Sequence, residues 1–107
     1  MPFRFTSRAR ADLRDIGNYT LRRLGTAQCD RYLDALEECC RQVADAPELR
    51  REAPDFPPYY RVLAGKHAIF YRVDDDGSIL VVRMLHAAML PELHLPGSEE
   101  EEDDENV

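Results

Sequence analysis

A chain of 107 residues that is 44% hydrophobic holds enough apolar material for one globular domain, which excludes both a disordered polymer and a multidomain assembly. Its formal net charge of −7 sits in one place, since residues 99–105 are seven consecutive acids and the remaining 14 acidic residues balance 14 basic ones, so the acidity says little about the folded surface. No apolar run approaches the ~20 residues needed to cross a bilayer, and the N-terminus has no apolar signal core.

In chain order, Phe3-Arg4-Phe5 has the period of a short strand, and Ser7 stands where a helix N-cap belongs. A helix is predicted over residues 8–24, with Ala9, Leu13, Ile16, Thr20 and Leu24 along one stripe. Gly25 is the expected left-handed C-cap, with Thr26 as the next N-cap. A second helix runs to about Ala46, striped by Cys29, Leu33, Leu36, Cys40 and Val43, and Pro47 stops it. The three cysteines are odd in number, with Cys39 and Cys40 adjacent; they give no disulfide framework and suit a reduced, cytoplasmic protein. Residues 50–58 form a proline-rich connector.

Three strand-like runs follow, Tyr60–Leu63, His67–Val73 and Ile79–His86, punctuated by Gly65-Lys66 and by Asp75-Asp76-Gly77. Residues 87–95 read as a short irregular or helical segment, Pro96-Gly97-Ser98 as a linker, and the acid run as a disordered tail. The expected organisation is therefore one domain over 1–95 and an acidic tail over 96–107. The fold class is α+β, with element order β-α-α-β-β-β and the helical hairpin packed on one face of a small antiparallel sheet.

Turn chemistry sorts the strand faces. A two-residue turn at Gly65-Lys66 opposes Val62 to Ile69 and Arg61 to Phe70; a turn at Asp76-Gly77 opposes Val73 to Leu80 and Phe70 to Arg83. One face then collects Val62, Ile69, Tyr71, Val73, Leu80, Val82 and Met84, and is assigned to the helices. The other collects Arg61, Leu63, Ala68, Phe70, Arg72, Ile79, Val81, Arg83 and Leu85. Three arginines among large apolar residues form the composition of a partner-binding surface, unless loops, the C-terminal segment or a second copy cover it.

The ordered series Ser7-Arg8-Arg10-Ala11-Asp12-Leu13, Ile16, Tyr19, Leu24-Gly25, Arg31-Tyr32-Leu33, Asp45-Ala46-Pro47-Glu48-Leu49, Tyr60-Arg61, Phe70-Tyr71-Arg72-Val73, Arg83-Met84-Leu85-His86, Met89 and His94-Leu95 resembles the ParE branch of the RelE/ParE toxin superfamily. The resemblance implies the toxin of a type II toxin–antitoxin pair, held inactive by a cognate ParD-like antitoxin in a hetero-oligomer. It implies an action on DNA gyrase by binding rather than by catalysis. The alternatives are a RelE-like ribosome-dependent mRNA interferase and a non-toxic or tail-inhibited relative.

RNA cleavage needs a proton acceptor and a proton donor beside cations on the phosphate. The arginine face supplies cations that stay protonated, while Tyr71 falls on the helix face and Lys66 and His67 at a turn. No catalytic residue, metal or cofactor is assigned; His86 and His94, eight apart around Glu92, match no zinc spacing. The expected partner-binding residues are Arg61, Phe70, Arg72, Arg83 and Leu85, with His86, Met89 and His94 added from the resemblance. Sequence-specific nucleic-acid binding and membrane association are not expected.

Overall fold

The computed structural model describes residues 3–89, 91, 94 and 95; the expected acidic tail, 96–107, lies outside them. The elements are β1 (Phe3–Phe5), α1 (Ser7–Leu24), α2 (Thr26–Asp45), a 3-10 turn (Pro47–Leu49), β2 (Tyr60–Ala64), β3 (His67–Val73) and β4 (Ile79–His86). They form a four-stranded sheet in the order β1-β4-β3-β2. β1 runs parallel to β4, and the other pairs are antiparallel. The sheet is thus mixed: a parallel pair needs a long crossover, and the helical hairpin lies within it. Among the described residues no helix is long and apolar enough to cross a membrane.

The cap of α1 is Thr6, one residue earlier than expected. Its hydroxyl accepts the Ala9 N–H (3.0 Å) and donates to the Val82 carbonyl (3.0 Å), so one fully buried side chain ends a strand and starts a helix. A single residue, Gly25, joins the two helices. Its N–H bonds to the Leu21 carbonyl and its carbonyl receives the Cys29 N–H, each at 3.0 Å. Its φ of 88° and ψ of 175° lie in a region open to glycine alone. At the far end of α2, Arg50 caps the helix from outside, reaching the Val43 carbonyl at 2.8 Å and the Ala44 and Gly77 carbonyls at 3.0 Å.

The first hairpin has the expected register, with Ala64 opposite His67 and Arg61 opposite Phe70; Gly65 takes a φ of 58°. The second differs. Val73 opposes Ile79 rather than Leu80, so the loop is the odd-numbered Asp74–Ser78, closed by Asp74 N–H to the Ser78 carbonyl (2.9 Å). Asp76 fixes that loop by accepting both the backbone N–H and the hydroxyl of Ser78. An odd loop inverts the faces of β4, which sends Ile79 and Val81 to the helices and Leu80 and Val82 away from them. A β-bulge then inserts Val82 between the pairs Tyr71–Val81 and Phe70–Arg83, restoring the expected pairing from Arg83 onward.

Two cores result. The larger packs Ile16, Leu36, Cys40, Val43, Ile69, Tyr71, Ile79, Val81 and Met84 between helices and sheet. The smaller lies on the opposite face, where Ala53 of the connector and Tyr59, just before β2, cover Phe70, Leu80, Val82 and Leu85, flanked by Phe56 and Leu95. The face expected to be open is therefore largely covered by this chain's own connector and C-terminal segment.

Candidate functional site

Among the described residues, that face keeps a groove of about 210 Å³, lined by Arg61, Leu63, Ala68, Phe70, Leu85, His86, Ala87, Met89 and Pro91. Five expected site residues, Arg61, Phe70, Leu85, His86 and Met89, meet there. Phe70 and Leu85 are each 1% exposed, so they form its floor rather than projecting contacts. Arg61 and His86 are exposed on its rim, beside Leu63 at 68% and Met89 at 37%. An apolar floor with a guanidinium, an imidazole and two exposed apolar side chains above it suits a docked chain segment.

The other three expected residues lie elsewhere. Arg83 is 6% exposed. Its Nε and Nη2 grip the Asp12 carboxylate at 2.7 and 2.9 Å, and its Nη1 donates to the His94 carbonyl at 3.0 Å. The expectation of an exposed Arg83 is corrected: β1 ends at Phe5, α1 passes the uncovered edge of β4, and Asp12 takes the guanidinium. The same carboxylate accepts the Met84 N–H at 2.9 Å, continuing the ladder that Thr6 began. Arg72 lines a separate cleft with Pro58, Val73, Asp74 and Asp75, where Asp74 lies 3.8 Å away. His94 enters through its backbone. The arginine trio is scattered and does not form the basic centre expected on this face.

Sequence reading missed a second feature, at the groove's end. His67 and His86 are opposed across β3 and β4, with ring centroids 5.4 Å apart. The Tyr32 hydroxyl, from α2, lies 2.7 Å from His67 Nδ1, accepts the Lys66 N–H at 3.0 Å, and lies 3.2 Å from the Ala64 carbonyl. It has one proton for two acceptors, so the tautomer of His67 decides which receives it. Burial pushes the His67 imidazole below its ordinary value; His86 adds to this and Asp12 opposes it. The turn residue allows the contact. A Cβ on Gly65 would stand 2.6 Å from Tyr32 Cε1 and 2.7 Å from its hydroxyl.

Tyr71 and Cys40 belong to the larger core. Burial pushes the Tyr71 phenol up to about 12 and the Cys40 thiol likewise to about 12. Both therefore stay protonated, and neither faces the groove.

Residues 3–91 match the family described as "ParE toxin of type II toxin-antitoxin system, parDE". A curated relative from Mycobacterium tuberculosis, "Toxin ParE1", is 40% identical over 82 residues, covering 76% of this chain and 84% of that one. "Toxin ParE1" of Caulobacter vibrioides is 34% identical over 95 residues, covering 88% and 97%. A solved structure titled "Chromosomal ParDE TA system from P. aeruginosa" shares the fold, with a TM-score of 0.69, 17% identity and coverage of 80% of this chain and 95% of that one.

Proposed function

Since the chain belongs to the ParE toxin family of type II toxin–antitoxin systems, we propose that it poisons DNA gyrase by binding, without catalysis of its own, and that a ParD-like antitoxin neutralises it in a toxin–antitoxin complex. The observation that carries this reading is the groove: a buried aromatic and aliphatic floor with Arg61 and His86 on the rim. A surface of this kind captures an apolar segment bearing a carboxylate near Arg61. The chemistry of the site favours docking over RNA cleavage. Arg83, one of the cations expected on this face, is turned inward onto Asp12.

The experiment is a paired assay on the purified protein. Gyrase supercoiling and trapped cleavage complexes are measured in one arm, and transcript integrity on translating ribosomes in the other. The expected result is stalled gyrase and intact messages, with activity restored to gyrase by the antitoxin. Cut transcripts with normal supercoiling would replace this reading with the mRNA interferase.

A further inference from the structure

The helices α1 and α2 are neighbours in one hairpin, yet their outward faces carry opposite charge. On α1 the exposed charged residues are Arg8, Arg14, Arg22 and Arg23, against Asp15. On α2 they are Asp30, Asp34, Glu37, Glu38 and Asp45, against Arg31 and Arg41. The other acid of α1, Asp12, is turned inward onto Arg83. The two arginines of α2 are engaged locally, Arg41 with Glu38 at 2.6 Å and Arg31 with Gln28 at 2.8 Å. On α1, Arg23 lies over the Tyr19 ring, whereas Arg8, Arg14 and Arg22 make no ion pair among the described residues.

Helix stability does not account for that row. Arg22 and Arg23 in the last turn complement the macrodipole, but the first turn holds no acid, and Arg8 stands there at the positive end, where a cation is disfavoured. Arg8, Asp15 and Arg22 recur every seven residues, so they share one line along the helix, about 21 Å long. Arg14 flanks that line one turn before Asn18. The middle of the face is polar, since the exposed large apolar residues of α1, Tyr19, Leu21 and Leu24, all fall in its last two turns. A protein interface centres on apolar side chains with charge at the rim. A polar strip of guanidinium forks suits phosphates instead.

We propose that this face of α1 docks on the phosphodiester backbone of duplex DNA through Arg8, Arg14 and Arg22, without reading its sequence. A duplex carries one negative charge per about 1.7 Å of axis, so a strip of this length meets phosphates in any register. The groove lies on the other side of the sheet from the helices and stays open while α1 is occupied. The overall charge of −7 and the acids of α2 oppose capture from a distance, which makes the contact weak and sensitive to salt. The inference goes beyond the gyrase reading and does not depend on it, because the ligand is DNA itself.

The test titrates the full chain onto a fluorescent mixed-sequence duplex of about 20 base pairs, long enough to exceed the strip. The expected dissociation constant is on the order of 10–100 µM at about 50 mM salt, and log K should fall against log salt with a slope near about −2.7, for three phosphates. The triple variant Arg8→Gln, Arg14→Gln, Arg22→Gln should bind at least about tenfold more weakly and with a flatter slope. Asp15→Asn removes the acid from the line and should tighten binding about threefold. A chain that leaves the duplex free, or a triple variant that binds as well as the native protein, overturns the proposal. So does sedimentation showing self-association that the triple variant loses while duplex binding is absent, which would assign the face to the acidic α2 of a second copy. Supercoiling assays keep the two readings apart. Arginine-dependent duplex binding with unimpaired gyrase supports this inference and refutes the gyrase reading; stalled gyrase without duplex binding does the reverse.

Discussion

Arg61 and Arg83 illustrate how far one residue type can diverge. Both lie opposite Phe70 by register, and both were expected on one open surface. Arg61 is exposed at the rim, whereas Arg83 is sealed against Asp12 with the two side chains 8% and 13% exposed. Arg83→Met should therefore cost stability, on the order of 3–5 kcal/mol by urea denaturation, because it strands a buried carboxylate. Arg61→Glu should change stability by no more than about 0.5 kcal/mol and should weaken antitoxin binding at least tenfold in a titration. No sequence signal marks Asp12 as the partner of a residue seventy-one positions away. Period and turn chemistry constrain neighbours, and this pair forms only because β1 stops three residues into the sheet. His67 gives a further prediction at this scale. Its folded value lies below the ordinary 6.5, so the unfolded chain takes the proton first, and stability is lost as pH falls through 6.5 towards that lower value. The pH-dependent part of the melting temperature over this window should shrink in His67→Asn.

Among the elements, both helices and all four strands were legible, because each carries its own period and its own stops. The faces of β4 were not, because parity depends on loop length. The sequence suggests a turn at Asp76-Gly77, whereas Asp76 draws Ser78 into a longer loop and Val73 pairs with Ile79. The bulge at Val82 then hides the error, which is why Phe70 and Arg83 still pair as expected. The β2–β3 turn, in contrast, was read correctly from glycine first and lysine second. Its tightness has a measurable consequence. Gly65→Ala should destabilise by about 1–2 kcal/mol from the positive φ alone, and by more because Tyr32 occupies the Cβ position. Gly25→Ala also meets a positive φ, but nothing lies within 4 Å of its Cβ. In a double-mutant cycle, Tyr32→Ala should therefore relieve part of the Gly65→Ala cost and none of the Gly25→Ala cost.

For the whole molecule, the unexpected part is the second core. Proline content marked residues 50–58 as a connector, and such segments ordinarily cross the surface. Here Ala53 is buried, as is the adjoining Tyr59, and the Phe56 ring meets the Phe70 ring edge-on at 6.2 Å. The connector thus supports the groove floor from beside it. Phe56→Ala should cost about 1–2 kcal/mol and should also weaken antitoxin binding, a coupling absent from a purely peripheral loop. Half of the candidate site was visible in the sequence, since Arg61, Phe70, Leu85, His86 and Met89 do converge. The loss of Arg72, Arg83 and His94 from it follows from tertiary packing that no local pattern encodes.

One flank of the sheet passes from backbone to side chains: strand β1 bonds β4 first, then the Thr6 hydroxyl, then the Asp12 carboxylate. Beyond Phe5, a stray strand from another molecule approaching β4 finds the Val82 carbonyl and the Met84 N–H already engaged. Protection against edge-to-edge stacking along that stretch of β4 is supplied by a cap and an acid from the first turns of a helix.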